Sequence, residues 1–305
     1  MDLAAAIRDA KPGETLQVPP GRYTGNFEIT RPLTLLAFGQ VILDGVHRGS
    51  ALRVSADGLV RLSGLTLAGG EAPEAGGGLY VERGTVEISD CIFRFNKAPL
   101  YGGGALYVID AKVTAERCRF EGNTGRQGGA ILADGAAELV LRDCALIQNA
   151  AIEGGGVRAK EGAKVELSFC TIADNKVVGD GAAGSALHCS GTTTRKPTVT
   201  VRDSIISERA EGPVCVFNSP TLPAALTVSR SLVPSWSQLT GDGVLTGDAK
   251  FVMDGNEPYL LAEGSPAIGA GGASTAKDLT GHARSGKTDL GAFSFVKRSS
   301  SSVGY

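Results

Sequence analysis

The chain is organised by a repeat of about 26 residues that returns through most of its length. The segments CIFRFN (91–96), CRFEGN (118–123) and CALIQN (144–149) each begin with cysteine, carry a large apolar residue two positions later and end with asparagine. The units also contain apolar–polar–apolar triplets such as VEI and VTV, a period of two that is typical of β-strands. A repeat of this length with several short strands per unit predicts a solenoid in which each unit forms one coil.

Alignment of the units gives five columns of equivalent residues. Two apolar columns read Leu33, Val60, Val86, Val113, Leu139, Val165, Val199, Leu226 and Leu35, Leu62, Ile88, Ala115, Leu141, Leu167, Val201, Val228. The other three read Leu65, Cys91, Cys118, Cys144, Cys170, Ser204, Ser231, then Leu67, Phe93, Phe120, Leu146, Ile172, Ile206, Val233, and finally Gly70, Asn96, Asn123, Asn149, Asn175, Arg209. No amphipathic stretch of helical length lies between the triplets, so the columns predict a parallel β-helix rather than a leucine-rich or ankyrin solenoid.

In-register parallel stacking places each inward side chain on its counterpart in the next coil, about 4.8 Å away. Cys91, Cys118, Cys144 and Cys170 are therefore predicted to be buried, stacked free thiols at a tight bend. Metal ligation by these cysteines is disfavoured because no histidine or CxxC spacing accompanies them. Asn96, Asn123, Asn149 and Asn175 are predicted to take the left-handed conformation at a corner and to bond to one another in a ladder.

We expect a single domain over residues 1–295: an all-β, right-handed parallel β-helix of about eight coils. The predicted additions are a loop insertion at 176–198, an irregular C-terminal cap at about 248–295 and a disordered tail at 296–305. A short N-terminal helix that begins after Asp2 is predicted to cover the first coil with Leu3, Ala6 and Ile7. Glycine pairs before the later strands allow positive φ at another corner.

The columns resemble the right-handed parallel β-helix superfamily that includes pectate lyases and many parallel β-helix repeat proteins. The segment AIRDAKPGETLQVPPGRYTGNFEITRPLTLLAFGQVILDG (6–45) is similar to the N-terminal signature of that superfamily. The C-terminal YLLAEGSPAIGAGG and DLTGHARSGKTDLGAF resemble the end of choice-of-anchor Q domains. The resemblance spans nearly the whole chain and implies the fold, an exported protein and, in some relatives, lyase activity; an activity still has to be argued from a site.

Composition excludes several functional classes. The net charge is −2 and the basic residues are scattered, so no nucleic-acid partner is indicated. No apolar stretch is long enough for a membrane span. The N-terminus lacks a basic region followed by an apolar run, which indicates no signal peptide in the chain as given. We therefore expect a cytoplasmic protein, or a secreted or cell-surface one if a leader has been removed.

The strand after each glycine pair supplies the candidate surface. Arg158 and Lys160 carry charges that are costly to bury in an apolar core, so their column is predicted to face outward. The same alignment places further residues on the outside: Tyr80, Leu106, Ile131 and Leu187. Such an apolar column predicts a surface for a protein partner or a second copy of the chain, unless a loop or the C-terminal segment covers it. Arg126 and Glu153 join Arg158 and Lys160 as outward polar groups suited to a sugar polymer, although a solvated face explains them equally.

Catalytic readings find less support. In the outward column Thr34, Arg61, Glu87, Thr114, Val140, Glu166, Thr200, Thr227, no neighbouring coils both offer a carboxylate, as a lyase calcium site requires. His188 and Cys189 are adjacent on a strand and point to opposite faces, which disfavours a Cys–His nucleophile. The sequence therefore predicts a non-catalytic scaffold that presents a lateral surface to a protein partner, to itself or to a glycan, with no cofactor and no metal. The alternative is a polysaccharide lyase-like enzyme acting on a uronate polymer with calcium.

Overall fold

The computed structural model describes residues 1–191, 195–208, 214–217, 225–252 and 257–297. These residues form a single right-handed parallel β-helix of about seven turns with one short helix, which confirms the predicted fold class. Each full coil runs through three main walls, with a bend between the first two and corners between the others. None of the helical segments in the described residues is both long enough and apolar enough to cross a bilayer.

The strands stack into these walls in chain order. Wall 1 contains β1 (Glu14–Val18), β4 (Leu33–Asp44), β6 (Leu59–Ala68), β8 (Thr85–Ser89), β12 (Lys112–Glu116), β16 (Glu138–Arg142), β20 (Lys164–Ser168), β24 (Thr198–Arg202) and β27 (Ala225–Ser229). Wall 2 takes the second halves of β4 and β6 and adds β2 (Gly21–Thr24), β9 (Ile92–Arg94), β13 (Arg119–Glu121), β17 (Ala145–Ile147), β21 (Thr171–Ala173), β25 (Ile205–Ser207), β28 (Leu232–Val233) and β29 (Leu245–Thr246).

Wall 3 contains β3 (Phe27–Ile29), β5 (Leu52–Val54), β7 (Leu79–Val81), β11 (Leu106–Ile109), β15 (Ile131–Asp134), β19 (Val157–Lys160), β23 (Leu187–Ser190) and β26 (Cys215–Phe217). A narrow sheet between walls 2 and 3 is made of β10 (Lys97–Gly102), β14 (Thr124–Gln127), β18 (Ala150–Ala151) and β22 (Lys176–Val177). The remaining strands, β30 (Phe251–Val252) and β31 (Leu260–Leu261), form an antiparallel pair in the C-terminal segment.

In wall 1, the residues that the sequence alignment placed in the same apolar column are paired with one another across neighbouring strands. Val86 lies beside Val113, and Val113 beside Leu139, without a shift. All three side chains are buried. The outward column also follows the sequence, since Glu87 pairs with Arg61 and Thr114 across neighbouring coils. Phe93 and Phe120 continue the core on wall 2, with their rings stacked at 4.8 Å. The core is therefore a set of like residues stacked along the axis.

The four repeat cysteines form one buried column at the bend between walls 1 and 2. The Cys144 sulfur accepts a hydrogen bond from the Cys118 backbone N–H at 3.4 Å. Further along, the Ser204 hydroxyl accepts the Cys170 N–H at 3.0 Å in the same way. The column thus selects a small side chain that accepts a backbone donor from the preceding coil, a requirement that both cysteine and serine satisfy.

The repeat asparagines form a continuous ladder at the corner after wall 2. Each side-chain amide donates to the oxygen of the next, at 3.0 Å for Asn96–Asn123, 3.0 Å for Asn123–Asn149 and 2.9 Å for Asn149–Asn175. The ladder ends on Glu208, whose Oε1 accepts from Asn175 at 3.1 Å. The sequence alignment had placed Arg209 in this position; Arg209 lies outside the described residues.

The left-handed backbone at this corner belongs to the residue before each asparagine, which corrects the expectation from the sequence. Phe95, Gln148 and Asp174 have φ of 55°, 56° and 54°. The asparagines themselves have no positive φ. Their amides must point inward along the axis to bond both to the next coil and to the preceding strand, so the reversal of the chain falls one residue earlier.

The glycine corner before wall 3 needs glycine for two reasons. Gly103 has φ of +66°, and a Cβ there would lie 2.6 Å from the Leu106 carbonyl oxygen. Gly128 repeats both features one coil later, with φ of +65°. The chain therefore turns back closely over the start of each wall 3 strand, a path that a side chain would block.

Helix α1 (Leu3–Asp9) covers the first coil, with Leu3 and Ile7 buried and Ala6 partly buried. The Asp2 carboxylate accepts the Ala5 N–H at 3.0 Å and caps the helix. The segment 176–198 is not one continuous loop, because β22 and β23 lie within it; residues 192–194 fall outside the described residues. Most of the tail expected at 296–305 also falls outside them.

The C-terminal segment packs along the outside of wall 2. Ala145, Ile147 and Ala173 point away from the core, yet they are buried against Tyr259 and Phe293. The fully buried guanidinium of Arg284 pairs with Asp143 at 2.9 Å. Burial raises the pKa of Asp143 to about 6, although the charge and hydrogen bond of Arg284 act in the opposite direction. This segment therefore closes off the outer face of wall 2 in the later coils.

Candidate functional site

The outward column of wall 3 differs from the one expected, and this changes the candidate surface. The structure aligns Arg53, Tyr80, Tyr107, Leu132, Arg158 and His188. Leu106, Ile131 and Leu187 occupy the adjacent inward column and are at most 1% exposed. They belong to the core, so the predicted outward apolar surface does not exist. Tyr80, Arg158 and Lys160 do lie on the outward side, as the sequence predicted.

The error has a physical cause. Side chains alternate between the two faces of a strand, so an alignment shifted by one residue exchanges the faces. The strands LYVI (106–109) and ILAD (131–134) carry apolar residues on both faces, and their sequences do not show which face is inside. Tyr107 and Leu132 point outward but are buried, because they form a small apolar cluster with Ala75 from the segment that precedes β7.

Three tyrosines and two cations cluster on the outer side of wall 3, and we call this cluster the tyrosine face: Arg53, Tyr80, Tyr101, Tyr107 and Lys160. Tyr107 is only 4% exposed and contacts the other two rings, so Tyr80 and Tyr101 are the rings that solvent reaches. The rings of Tyr80 and Tyr107 lie 5.1 Å apart, and Tyr101 meets Tyr107 edge-on at 5.8 Å. The Arg53 guanidinium lies 4.4 Å from the centre of the Tyr80 ring. Tyr101, on β10, is 37% exposed. The face therefore presents aromatic rings whose positions are held by cation–π and edge contacts.

A hydrogen-bonded triangle holds the centre of the face. The Tyr101 hydroxyl donates to Asp134 Oδ2 at 2.7 Å, and Lys160 Nζ donates to the Tyr101 oxygen at 2.8 Å. Lys160 Nζ also lies 3.5 Å from Asp134 Oδ2. Burial alone would lower the pKa of Lys160, but the Tyr101 hydrogen bond and the Asp134 charge outweigh it and raise the pKa. Lys160 is consequently charged at neutral pH and fixed in position.

Arg158 and His188 continue the column but are buried. Arg158 lies 3.1 Å from Glu153 and donates to the Ser190 hydroxyl at 2.8 Å. Its Nε and Nη1, and both ring nitrogens of His188, have no well-formed hydrogen bond within the described part of the chain. Burial and the charge of Arg158 lower the pKa of His188 to about 4, partly offset by the Ala183 carbonyl, so the imidazole is neutral at neutral pH.

The structure does not bring together the two remaining polar residues that the sequence predicted for this surface, Glu153 and Arg126. Glu153 joins Arg158, whereas Arg126 is exposed on β14 and its side chain makes no hydrogen bond or ion pair with the described residues of this cluster. Among the described residues, no three His, Cys, Asp or Glu side chains converge as metal ligands would. Sequence reasoning missed Arg53, Tyr101, Tyr107 and Asp134. A regular signal was available for one of them, because Tyr80 and Tyr107 occupy the same position in successive coils.

Solved structures with a similar fold include enzymes that act on polysaccharides. An alginate lyase from Paenibacillus is 12% identical, with 80% of this chain and 95% of that chain covered and a TM-score of 0.47. A pectin methylesterase from Erwinia chrysanthemi is 13% identical, with 80% and 88% covered and a TM-score of 0.46. A pectin methylesterase in complex with a hexasaccharide is 14% identical with the same coverage and TM-score. At these identities and TM-scores, the likeness supports no statement about the activity of this chain.

No curated protein matches the sequence at a significant level. A family model does match: the one described as a right-handed beta helix region covers residues 50–232, more than half of the chain. The matched range runs from β5 to β28 and includes the cysteine column, the asparagine ladder and most of wall 3. The stacked columns, the parallel register and this match together show that the chain belongs to the right-handed β-helix family.

Proposed function

We propose that this protein is a rigid, non-catalytic scaffold that binds a glycan along the tyrosine face. The observation that carries the proposal is the pair of partly exposed rings, Tyr80 and Tyr101, that pack on the buried Tyr107 ring of one outer wall. The Arg53 guanidinium lies over the Tyr80 ring and Lys160 Nζ over the Tyr101 ring, so each ring also has a cation beside it. An aromatic ring offers an apolar face to the C–H bonds of a sugar, and the neighbouring charged groups offer hydrogen bonds to its hydroxyls. Successive coils repeat such groups along the axis, which suits a linear polymer.

The arrangement favours a glycan over association through apolar contacts. The residues that would have supplied an apolar surface, Leu106, Ile131 and Leu187, lie in the core. The accessible groups are tyrosines and charges that are already paired: Arg53 with Glu82 at 2.8 Å, and Lys160 with Asp134. Pre-paired, fixed polar groups reduce the entropy lost on binding a hydroxylated ligand.

Binding is tested by affinity electrophoresis in gels containing alginate, polygalacturonate or a neutral xylan. We expect retardation in at least one gel, weakened about tenfold by Tyr101→Ala or Tyr80→Ala because each removes a stacking ring. The matched control is Phe38→Ala, which removes an exposed ring (73%) from β4 at the bend between walls 1 and 2, outside wall 3. Equal retardation of wild type and both tyrosine variants would contradict the assignment of the face.

A separate assay tests the proposal that the protein is not catalytic. The protein is incubated with the two uronate polymers and calcium, and the ultraviolet absorbance of an unsaturated product is followed. We expect no product. Product that disappears in Lys160→Met would show a lyase on the same face, because Lys160 and Tyr101 are the groups there within proton-transfer distance of each other. Light scattering on the same samples separates a third outcome, a dimer lost in Tyr101→Ala, which would replace the glycan with a second copy of the chain.

A further inference from the structure

A cleft lies where the asparagine ladder ends. Each ladder asparagine bonds its corner to the next coil, and Glu208 is the last acceptor of the ladder among the residues that the structure describes. In the next coil the corner is the turn Pro234–Ser237, closed by its own N–H to carbonyl bond at 3.0 Å. Between this turn and residues 247–251 the coils part and leave a cleft of about 550 Å³.

Glu208 lines this cleft and is 4% exposed. Its Oε1 accepts the Asn175 amide, whereas Oε2 is buried with no hydrogen-bond partner within the described residues. A buried carboxyl oxygen without a partner is costly, and a ligand group at hydrogen-bond distance would remove that cost. Burial, reinforced by the charge of Asp174, raises the pKa of Glu208 to about 8, against the hydrogen bonds from Asn175.

Trp236 supplies the cleft with an aromatic surface. Its side chain is 42% exposed, and Phe251 lies on another side of the same cleft. Phe251 is fixed by an edge contact with the Tyr259 ring at 5.4 Å. Asp248 and Lys250 carry the only full charges of the described lining at neutral pH, and they offset each other. A cleft of this size with an aromatic wall, balanced charge and a buried hydrogen-bonding group suits an uncharged, hydroxylated ring.

We propose that this cleft binds one uncharged pyranose unit, with its C–H face on Trp236 and a hydroxyl hydrogen-bonded to Glu208 Oε2. The site lies at the corner after wall 2, whereas the tyrosine face lies on wall 3. Its occupancy therefore does not depend on the function proposed for that face.

The chain offers a direct probe, because Trp236 is its single tryptophan. Indole emission is followed while methyl glycosides of glucose, galactose, mannose and xylose are added to the full-length protein. We expect a saturable change with at least one sugar in the millimolar range, as befits a ligand of this size. Glu208→Leu, which removes the carboxyl group from the cleft, should weaken that affinity about tenfold or more. Glu208→Gln, which keeps the acceptor for Asn175 and places an N–H donor at the position of the protonated Oε2, should retain most of it. The matched control Glu166→Leu, on the outward column of wall 1, should leave it unchanged.

Three results would overturn the proposal. They are no saturable response to any of the sugars, a saturable response to the cation ethanolamine but not to the sugars, and sugar binding that Glu208→Leu leaves intact. If Glu208→Leu does not fold, calorimetry on Trp236→Ala decides, since the proposal requires the affinity of that variant for the sugar to fall at least about tenfold. Tyr101→Ala should retain the sugar response, so failure of the tyrosine face and failure of this cleft are separate outcomes.

Discussion

The asparagine ladder makes a prediction that can be worked out atom by atom. In Asn149→Ala, the variant loses the Oδ1 that accepts both the backbone N–H and the side-chain amide of Asn123, each at 3.0 Å. Both donors belong to Asn123, which is fully buried. An unsatisfied buried donor costs about 1–3 kcal/mol, so the two together cost about 2–6 kcal/mol of unfolding free energy.

The first asparagine of the ladder provides the internal comparison. Asn96 Oδ1 accepts a single bond, from the Gly70 N–H at 3.0 Å. In both variants the deleted amide also donated two bonds, one to a carbonyl of the preceding coil and one to the next asparagine, so that loss is common to both. Asn96→Ala strands one N–H donor fewer, so its cost should be lower than that of Asn149→Ala by about 1–3 kcal/mol. The matched control is Asn26→Ala, whose exposed amide donates to the Ser50 carbonyl at 2.7 Å and whose loss should cost less than about 1 kcal/mol.

Urea unfolding followed by circular dichroism measures the three variants. Because coils of a solenoid contribute to stability through their neighbours, amide hydrogen exchange should also show the loss centred on the coils of Asn123 and Asn149. In the double variant Asn123→Ala, Asn149→Ala one stranded donor is itself removed, so the cost should fall below the sum of the single variants. Equal losses for Asn96→Ala and Asn149→Ala, or losses no larger than that of Asn26→Ala, would refute this reasoning.

Three further predictions follow from burial. Ile131→Ala should destabilise the protein by about 2–5 kcal/mol in urea unfolding, because Ile131 fills the core; an unchanged midpoint would place it on the surface instead. Arg158→Met should raise the pKa of His188 from about 4 toward 6.5 in NMR titration, since a neighbouring positive charge is removed, and an unmoved pKa would mean that burial alone sets it. Burial raises the pKa of Glu208 from 4.5 to about 8, so folding favours its protonated form. As pH rises from about 4.5 to 8, the unfolding free energy of the wild type should therefore fall relative to that of Glu208→Gln, by up to about 1.4 kcal/mol per pH unit. A difference that does not change with pH would contradict this.

The sequence alone determined the solenoid, because each coil must place the same kind of residue over its counterpart. The wall 1 columns, the stacked thiols and the asparagine ladder could all be read from a repeat of about 26 residues. These features are predictable because in-register stacking requires the same kind of residue at the same position of every coil, so the pattern recurs many times in the sequence. The replacement of Cys170 by Ser204 in its column shows the requirement itself, a small acceptor for a backbone N–H.

Only the tertiary structure decided which side of wall 3 faces outward. When a strand has apolar residues on both faces, its sequence does not alternate between apolar and polar residues and so does not show which face points inward. Tyr107 and Leu132 are as apolar as core residues, although they lie on the outer side of the wall. Likewise, Ala145 and Ile147 face away from the axis and are buried because a distant segment with Tyr259 and Phe293 packs over them. The candidate sites depend on such contacts between segments far apart in the chain. Tyr101 contacts Lys160, which lies on a different strand, and Glu208 lines the same cleft as Trp236, which lies in a different coil. The sequence repeat therefore predicts neither contact.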